Sequence, residues 1–166
     1  MKELPKVYDP KQVESKIYDM WMRGGYFAGK ADPDKKPFSI VMPPPNVTGQ
    51  LHMGHALNKT LKDFIVRSHA MMGYYTPYVP GWDNHGLPIE TAIIKKSKLN
   101  HKAMSIADFR SACHDYAQKY IDRQMAGFKR MGVMGDWEHP YKTMNKGFEA
   151  DEVRVFGKMY QNGHIY

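Results

Sequence analysis

Cysteine is nearly absent from this chain of 166 residues: Cys113 is the only one. That excludes an intrachain disulfide and a cysteine zinc cluster, and it fits a reducing, cytosolic setting. Long apolar runs are missing too. No stretch approaches the roughly 20 residues a membrane-spanning helix needs, so no membrane partner is expected. The opening residues, Met1-Lys2-Glu3-Leu4-Pro5-Lys6, lack the apolar core of a signal peptide. Acidic residues are outnumbered, 17 against 24 lysines and arginines, which leaves a net charge of +7. Nucleotide, RNA and phosphate all fit that excess, and so does a plain lysine-rich surface. No internal repeat, low-complexity tract or linker occurs. The remaining composition, 42% hydrophobic and 25% charged, is ordinary for one globular domain with a real core.

What is present in quantity is concentrated. Pro43 to His55 holds three prolines, two glycines and two histidines separated by two residues. An apolar run, Phe38 to Met42, precedes it, and a segment with helical spacing follows as far as Gly73. That order predicts strand, tight loop, helix. Proline fixes φ and glycine permits unusual φ, so the loop's path is determined. The first amides of the following helix are unpaired and the helix dipole favours an anion there. His52 and His55 beside that terminus, with Gly49 and Gly54 allowing close backbone approach, suit a nucleotide phosphate.

Asp9 before Pro10 predicts a helix from about Pro10 to Arg23, with Val13, Ile17, Met20 and Trp21 on its buried face. Ala31 to Lys36 is a polar turn. The helix after the loop is expected to turn Leu57, Leu61, Phe64, Ile65 and Met72 inward, and Asn58, Lys59, Lys62, Asp63 and Arg67 outward. Tyr74 to Pro80 is a second extended run, delivering Gly81 to Gly86 at its carboxyl end. Strand, helix, strand is a βαβ unit with parallel strands, and ligands bind at the carboxyl ends of such strands. Asp83 therefore shares a rim with His52 and His55. Ile89 to Asn100 reads as helical. Ser105, with Asp108 three residues on, opens a long helix whose stripe runs through Ile106, Phe109, Cys113, Tyr116, Ala117, Tyr120, Ile121, Met125 and Phe128, ending at Gly132. A last helix buries Val153, Phe156, Met159 and Tyr160 and stops near Gly163.

His52-Met53-Gly54-His55 resembles the His-x-Gly-His signature of class I aminoacyl-tRNA synthetases. Pro43 to Gly49 is similar to the valine enzyme. Pro80-Gly81-Trp82-Asp83-Asn84-His85-Gly86-Leu87-Pro88-Ile89-Glu90 resembles the isoleucine enzyme, as do Phe128 to Val133, Gly135-Asp136-Trp137 and Val155 to Met159. Together these cover nearly the whole chain. The resemblance implies an α/β fold, the N-terminal half of a Rossmann-type doubly wound parallel sheet with flanking helices. It divides the chain into a leading helix and turn, residues 1–36, and a nucleotide-binding half, residues 37–166. It implies ATP binding at Gly49, His52, Gly54 and His55, with the two histidines catalytic. Magnesium is expected with the ATP, and no protein metal site. Pro44, Asn46, Trp82 and Asp83 match amino-acid-binding positions, although Trp82 alone reads as wall or core. Asp83 would hold the α-amino group of isoleucine or valine. Gly135-Asp136-Trp137 reads as structural.

Lys102 to Ile106 lacks the second lysine of the family's Lys-Met-Ser-Lys-Ser signature, and Ser105 is needed as a cap. That second signature, the editing part and the anticodon-binding part are expected to lie outside this chain, and tRNA would meet the full-length parent. The expected function is the ATP-binding half of an isoleucyl-like, or alternatively valyl-like, enzyme, weak or inactive when isolated. A non-catalytic nucleotide- or RNA-binding module is the other reading. Half a doubly wound sheet exposes an edge, so self-association is expected.

Overall fold

A computed structural model describes residues 5–26, 31–97 and 103–166. The chain runs α1 (Pro10–Gly24), α2 (Met53–Met71), β1 (Gly81–Trp82), α3 (Leu87–Ser97), α4 (Ile106–Arg130), β2 (Tyr141–Lys142) and α5 (Lys146–Gln161). Residues 98–100 of the third expected helix, and Lys102, lie outside the described residues.

The caps behave as their chemistry dictates. Asp9 Oδ1 accepts from the Lys11 amide at 3.0 Å, with Pro10 in the first turn. Ser105 Oγ accepts from the Asp108 amide at 3.1 Å and donates to the Asp108 carboxylate at 2.7 Å. Gly25, Gly73, Gly132 and Gly163 follow four of the helices with positive φ, a conformation glycine adopts without strain.

Three extended segments lie parallel. β1 pairs with β2 in the register Gly81↔Tyr141 and Trp82↔Lys142. On the other flank, bridges Pro37↔Tyr75 and Asn46↔Asp83 join the first extended segment to the second. The middle segment is thus 75–83, with α2 in one crossover and α3 and α4 in the other. Between the two outer bridges no regular ladder forms, contrary to the strand expected over Phe38–Met42. Pro43, Pro44, Pro45, Pro77 and Pro80 carry no amide hydrogen, which removes ladder donors from both segments.

The core lies between this small sheet and α4: Val47, Trp82, Ile89, Ala117, Tyr120, Ile121, Phe128, Val133 and Trp137 are all buried. Trp137 stacks on Phe128 at 6.4 Å between ring centres and donates its indole N–H to the Tyr18 hydroxyl. Gly135-Asp136-Trp137 is therefore structural, as its sequence suggested, with Asp136 capping the Glu138 and His139 amides.

Three helix faces differ from expectation. On α2, Leu57, Leu61, Phe64, Ile65 and Met72 are exposed, while Lys59 is buried and Asp63 and Arg67 are half-buried. The polar side turns inward because it is saturated there. Arg67 bonds the Asp63 carboxylate at 2.7 Å and the Gly132 carbonyl at 2.8 Å, and Asp63 also accepts from the Met134 amide. On α5, Val153, Phe156, Met159 and Tyr160 are exposed. On α1, Ile17 and Met20 are exposed, and docking falls to Tyr18, which donates to the Val133 carbonyl, and Trp21, under the Arg67 guanidinium. On α4 the apolar stripe is where it was expected, except that Ile106 is exposed and Gln124 joins the buried set.

Candidate functional site

The loop from Pro43 to His52 leaves the parallel bridge at Asn46 and ends as the cap of α2. Its path is fastened from beneath by α4. The Gln124 side-chain amide donates to the Asn46 carbonyl at 3.1 Å and the Gly49 carbonyl at 2.9 Å, and its oxygen accepts from the Trp82 indole at 3.0 Å. Gln124 is 1% exposed, so these bonds form away from water. The Tyr116 hydroxyl donates to the Thr48 carbonyl, and Val47 is fully buried. Gly127 lets the loop settle on α4: a Cβ there would lie 2.7 Å from Leu51 Cδ1.

At the helix start the two imidazoles cap each other's turn. His52 Nδ1 accepts from the Gly54 amide at 3.1 Å, and His55 Nδ1 accepts from the His52 amide at 3.3 Å. Their rings are 3.9 Å apart. A ring nitrogen that accepts cannot carry the proton, so both neutral imidazoles hold theirs on Nε2 and keep it available as a donor. Burial, then the His52 ring and the Lys59 ammonium, hold the His55 imidazole below the usual histidine range, which favours this neutral form. Gly54 is required by the same turn: a Cβ there would meet the His52 ring at 2.9 Å. At Gly49 the space a Cβ would fill is open.

Asp83 enters from the neighbouring segment. Its amide donates to the Pro45 carbonyl at 3.0 Å, which sets it against Asn46. It is half-buried, and its carboxylate makes no ion pair among the described residues. Asn46 is half-buried and its side-chain oxygen is shielded from water without a hydrogen-bond partner. Pro44 is exposed on the loop. Trp82 differs from the amino-acid-contacting position expected for it: at 0% exposure, bonded to Gln124 and packed against Trp137, the ring is core.

Residues 16–166 match the family described as tRNA synthetases class I (I, L, M and V). The chain belongs to that family. It is 56% identical over 133 residues to an isoleucine–tRNA ligase of Bacillus subtilis, covering 80% of this chain and 14% of the relative. A second isoleucine–tRNA ligase, from Macrococcus caseolyticus, is 50% identical over 153 residues, covering 92% of the chain and 16% of the relative. The crystal structure of a ternary complex of Agrobacterium radiobacter K84 LeuRS, tRNA and LeuAMS shares the fold, with a TM-score of 0.81 at 23% identity. It covers 96% of this chain and 19% of that one. The chain thus spans about one-seventh of the length of the isoleucine–tRNA ligases it resembles. Its α/β fold is that of the class I synthetase catalytic domain, and no described helix is long and apolar enough to cross a membrane.

Two residues of the site escape a reading of sequence. Gln124 sits at helical spacing inside an apolar stripe, between Ile121 and Phe128, and that interruption is its one signal. Lys59 looks like solvated surface beside Lys62. Instead its ammonium donates to the Tyr78 hydroxyl at 3.2 Å and lies over the Tyr78 and Phe128 rings at 5.7 and 5.5 Å. Burial, with help from Lys62, pushes its pKa down to about 8, and burial raises that of Tyr78 to about 12.

Proposed function

We propose that this chain is the ATP-binding half-site of an isoleucine-activating synthetase. The supporting observation is the reciprocal cap of His52 and His55, which commits both Nε2 protons to donation beside the N-terminus of α2. A triphosphate placed there would receive two imidazole donors and the positive end of the helix dipole. Gly49 and Gly54 would let the nucleotide approach the backbone. The Asp83 carboxylate, unpaired, and the Asn46 oxygen, lacking a donor, would receive the α-ammonium group of the amino acid, with Pro44 alongside.

In the reaction, a carboxylate oxygen of the amino acid attacks the α-phosphorus of ATP. The bond to pyrophosphate breaks, and aminoacyl-adenylate forms. No protein nucleophile takes part, so the chain contributes positioning and charge stabilisation. Magnesium would arrive on the ATP phosphates, since imidazoles and amides are poor ligands for that hard cation. Transfer to the terminal ribose of tRNA is the corresponding proposal for a full-length protein in the cytoplasm. The relatives favour isoleucine over valine. Loop residues do not separate the two, because one methylene in a hydrophobic pocket discriminates weakly. The exposed apolar faces of α2 and α5 lead us to infer self-association of the isolated chain.

Titration with ATP tests the reading. His52→Ala with His55→Ala should weaken ATP binding by at least about tenfold, the loss of two donors to a charged group. Amino-acid-dependent exchange of pyrophosphate into ATP should be weak and larger with isoleucine than valine. Unchanged ATP affinity in the double variant would refute the assignment.

A further inference from the structure

β1 ends at Trp82, and Asp83, Asn84 and His85 then lead towards α3. Backbone groups of an extended chain alternate sides. The Asp83 amide points to the first segment and donates to the Pro45 carbonyl at 3.0 Å. The groups before and after it point the other way, and one residue at the end of β2 takes them both. The Thr143 amide donates to the Trp82 carbonyl at 3.3 Å, and Thr143 Oγ1 accepts from the Asn84 amide at 2.8 Å. The Thr143 carbonyl makes a third contact, with His85 Nε2 at 3.1 Å.

Thr143 ends the ladder through its hydroxyl. The parallel rungs run from the Tyr141 amide to the Pro80 carbonyl and from the Thr143 amide to the Trp82 carbonyl. In a ladder that continued, the Asn84 amide would go to the Thr143 carbonyl. It goes to the hydroxyl instead, and the freed carbonyl takes the imidazole. Asn84 is 4% exposed, so its amide has no water to turn to and needs the acceptor at position 143. Glu149, in the first turn of α5, also approaches His85 Nε2, at 3.3 Å. Both neighbours of that nitrogen accept, so it carries the proton. This outer latch lies in water, with the two side chains 46% and 38% exposed, where ion pairs contribute little. The hydroxyl bond is the stronger hold.

We propose that Thr143 is a positioning residue for amino-acid binding, a role that rests on the reading of Asp83 as the seat of the α-ammonium group. Its hydroxyl stops the β1–β2 ladder where the backbone aims the Asp83 carboxylate, and the His85–Glu149 latch supports it. The phosphate loop is fastened separately, by Gln124 and Tyr116 of α4. Displacing the Asp83 turn therefore costs amino-acid affinity and spares ATP.

Nuclear magnetic resonance titrations of the 166-residue chain with isoleucine and, separately, with ATP provide the test. Thr143→Val keeps the shape of the side chain and removes the acceptor. It should weaken isoleucine by at least about fivefold and ATP by less than about twofold, because small misplacements of a binding group are costly only where that group acts. Thr143→Ser restores the hydroxyl and should recover the parent affinity for isoleucine. Thr143→Ala leaves room for a water at the Asn84 amide and should give a smaller loss in the same direction, which keeps the test open should the valine variant not fold. His85→Ala should weaken isoleucine by less than about threefold, as an exposed latch predicts. A merely structural part for Thr143 would lower both affinities together. The proposal is overturned if the valine and alanine variants bind isoleucine as the parent does, or lose ATP as much as isoleucine. If the parent chain takes up no isoleucine, or Asp83→Asn takes it up equally well, the reading of Asp83 fails and the role of Thr143 falls with it.

Discussion

Gln124 decides more about the site than any residue on the loop itself. One side-chain amide satisfies the Asn46 and Gly49 carbonyls and the Trp82 indole at once. Gln124→Met preserves volume and removes all three bonds. Each abandoned buried group carries a desolvation cost, so the variant should lose about 2–4 kcal/mol of stability in urea unfolding. ATP binding should weaken as well, because the loop path from Asn46 to Gly49 is no longer fixed. A loss below about 0.5 kcal/mol would show that the loop is held by its prolines alone. Lys59 works in the opposite direction. Its ammonium is disfavoured where it lies, with a pKa near 8 against 10.5 in the unfolded chain. Between those values the unfolded state binds the proton and the folded state does not, so stability rises as pH increases from about 8 to 10.5. Lys59→Met should flatten that rise in pH-dependent denaturation and should be no less stable at pH 7.

At the scale of the helix and the turn, the sequence is most legible where a cap or a glycine sets a boundary by local chemistry. Asp9, Ser105, Gly73 and Gly132 all act within one turn of themselves, and the helix ends fall beside them. Ser105→Ala should accordingly cost about 1 kcal/mol. Which face a helix buries is not a local property, and there the reading fails for α2. Apolar spacing chose Leu57, Leu61 and Phe64, yet Asp63, Arg67 and Lys59 face the interior because partners from residues 78, 132 and 134 satisfy them. Such partners are distant in sequence, so periodicity cannot announce them. The candidate site is a reading from motif: its histidines and Asp83 lie on segments joined by the Asn46↔Asp83 bridge, while Trp82, in the same motif, serves the core. Gly127 offers a test of fit at this scale. Gly127→Ala gains helix propensity of nearly 1 kcal/mol and pushes on the flexible tip of Leu51, so thermal stability should stay within about 1 kcal/mol of the parent. ATP affinity should fall, because Leu51 adjoins His52. Unaltered affinity would mean that the loop tolerates displacement from α4.

Across the whole molecule, the burial pattern is lopsided. One dense core joins the small sheet to α3 and α4, while the outer sides of α2 and α5 and the edge at Val41, 95% exposed, carry large apolar groups into water. Leu57 at 63%, Phe64 at 62%, Phe156 at 61% and Tyr160 at 66% exposure are not scattered singly; pairs of them recur along two helices. Apolar area of this kind drives association at about 25 cal/mol for each Å² removed from water, offset by the entropy of bringing copies together. The net charge of +7 opposes contact and weakens with salt, whose screening length is about 8 Å at physiological strength. Self-association should therefore strengthen from low to moderate salt, the reverse of an ion-pair interface. Sedimentation velocity across a hundredfold concentration range should show a rising weight-average mass, more steeply in 0.3 M salt than in 0.03 M. Phe64→Lys with Phe156→Lys should restore the monomer while leaving the Gln124 clamp and the His52–His55 cap intact, so ATP binding should persist. A single monomeric species throughout, at both salt concentrations, would mean that conformational entropy at these faces outweighs the apolar gain.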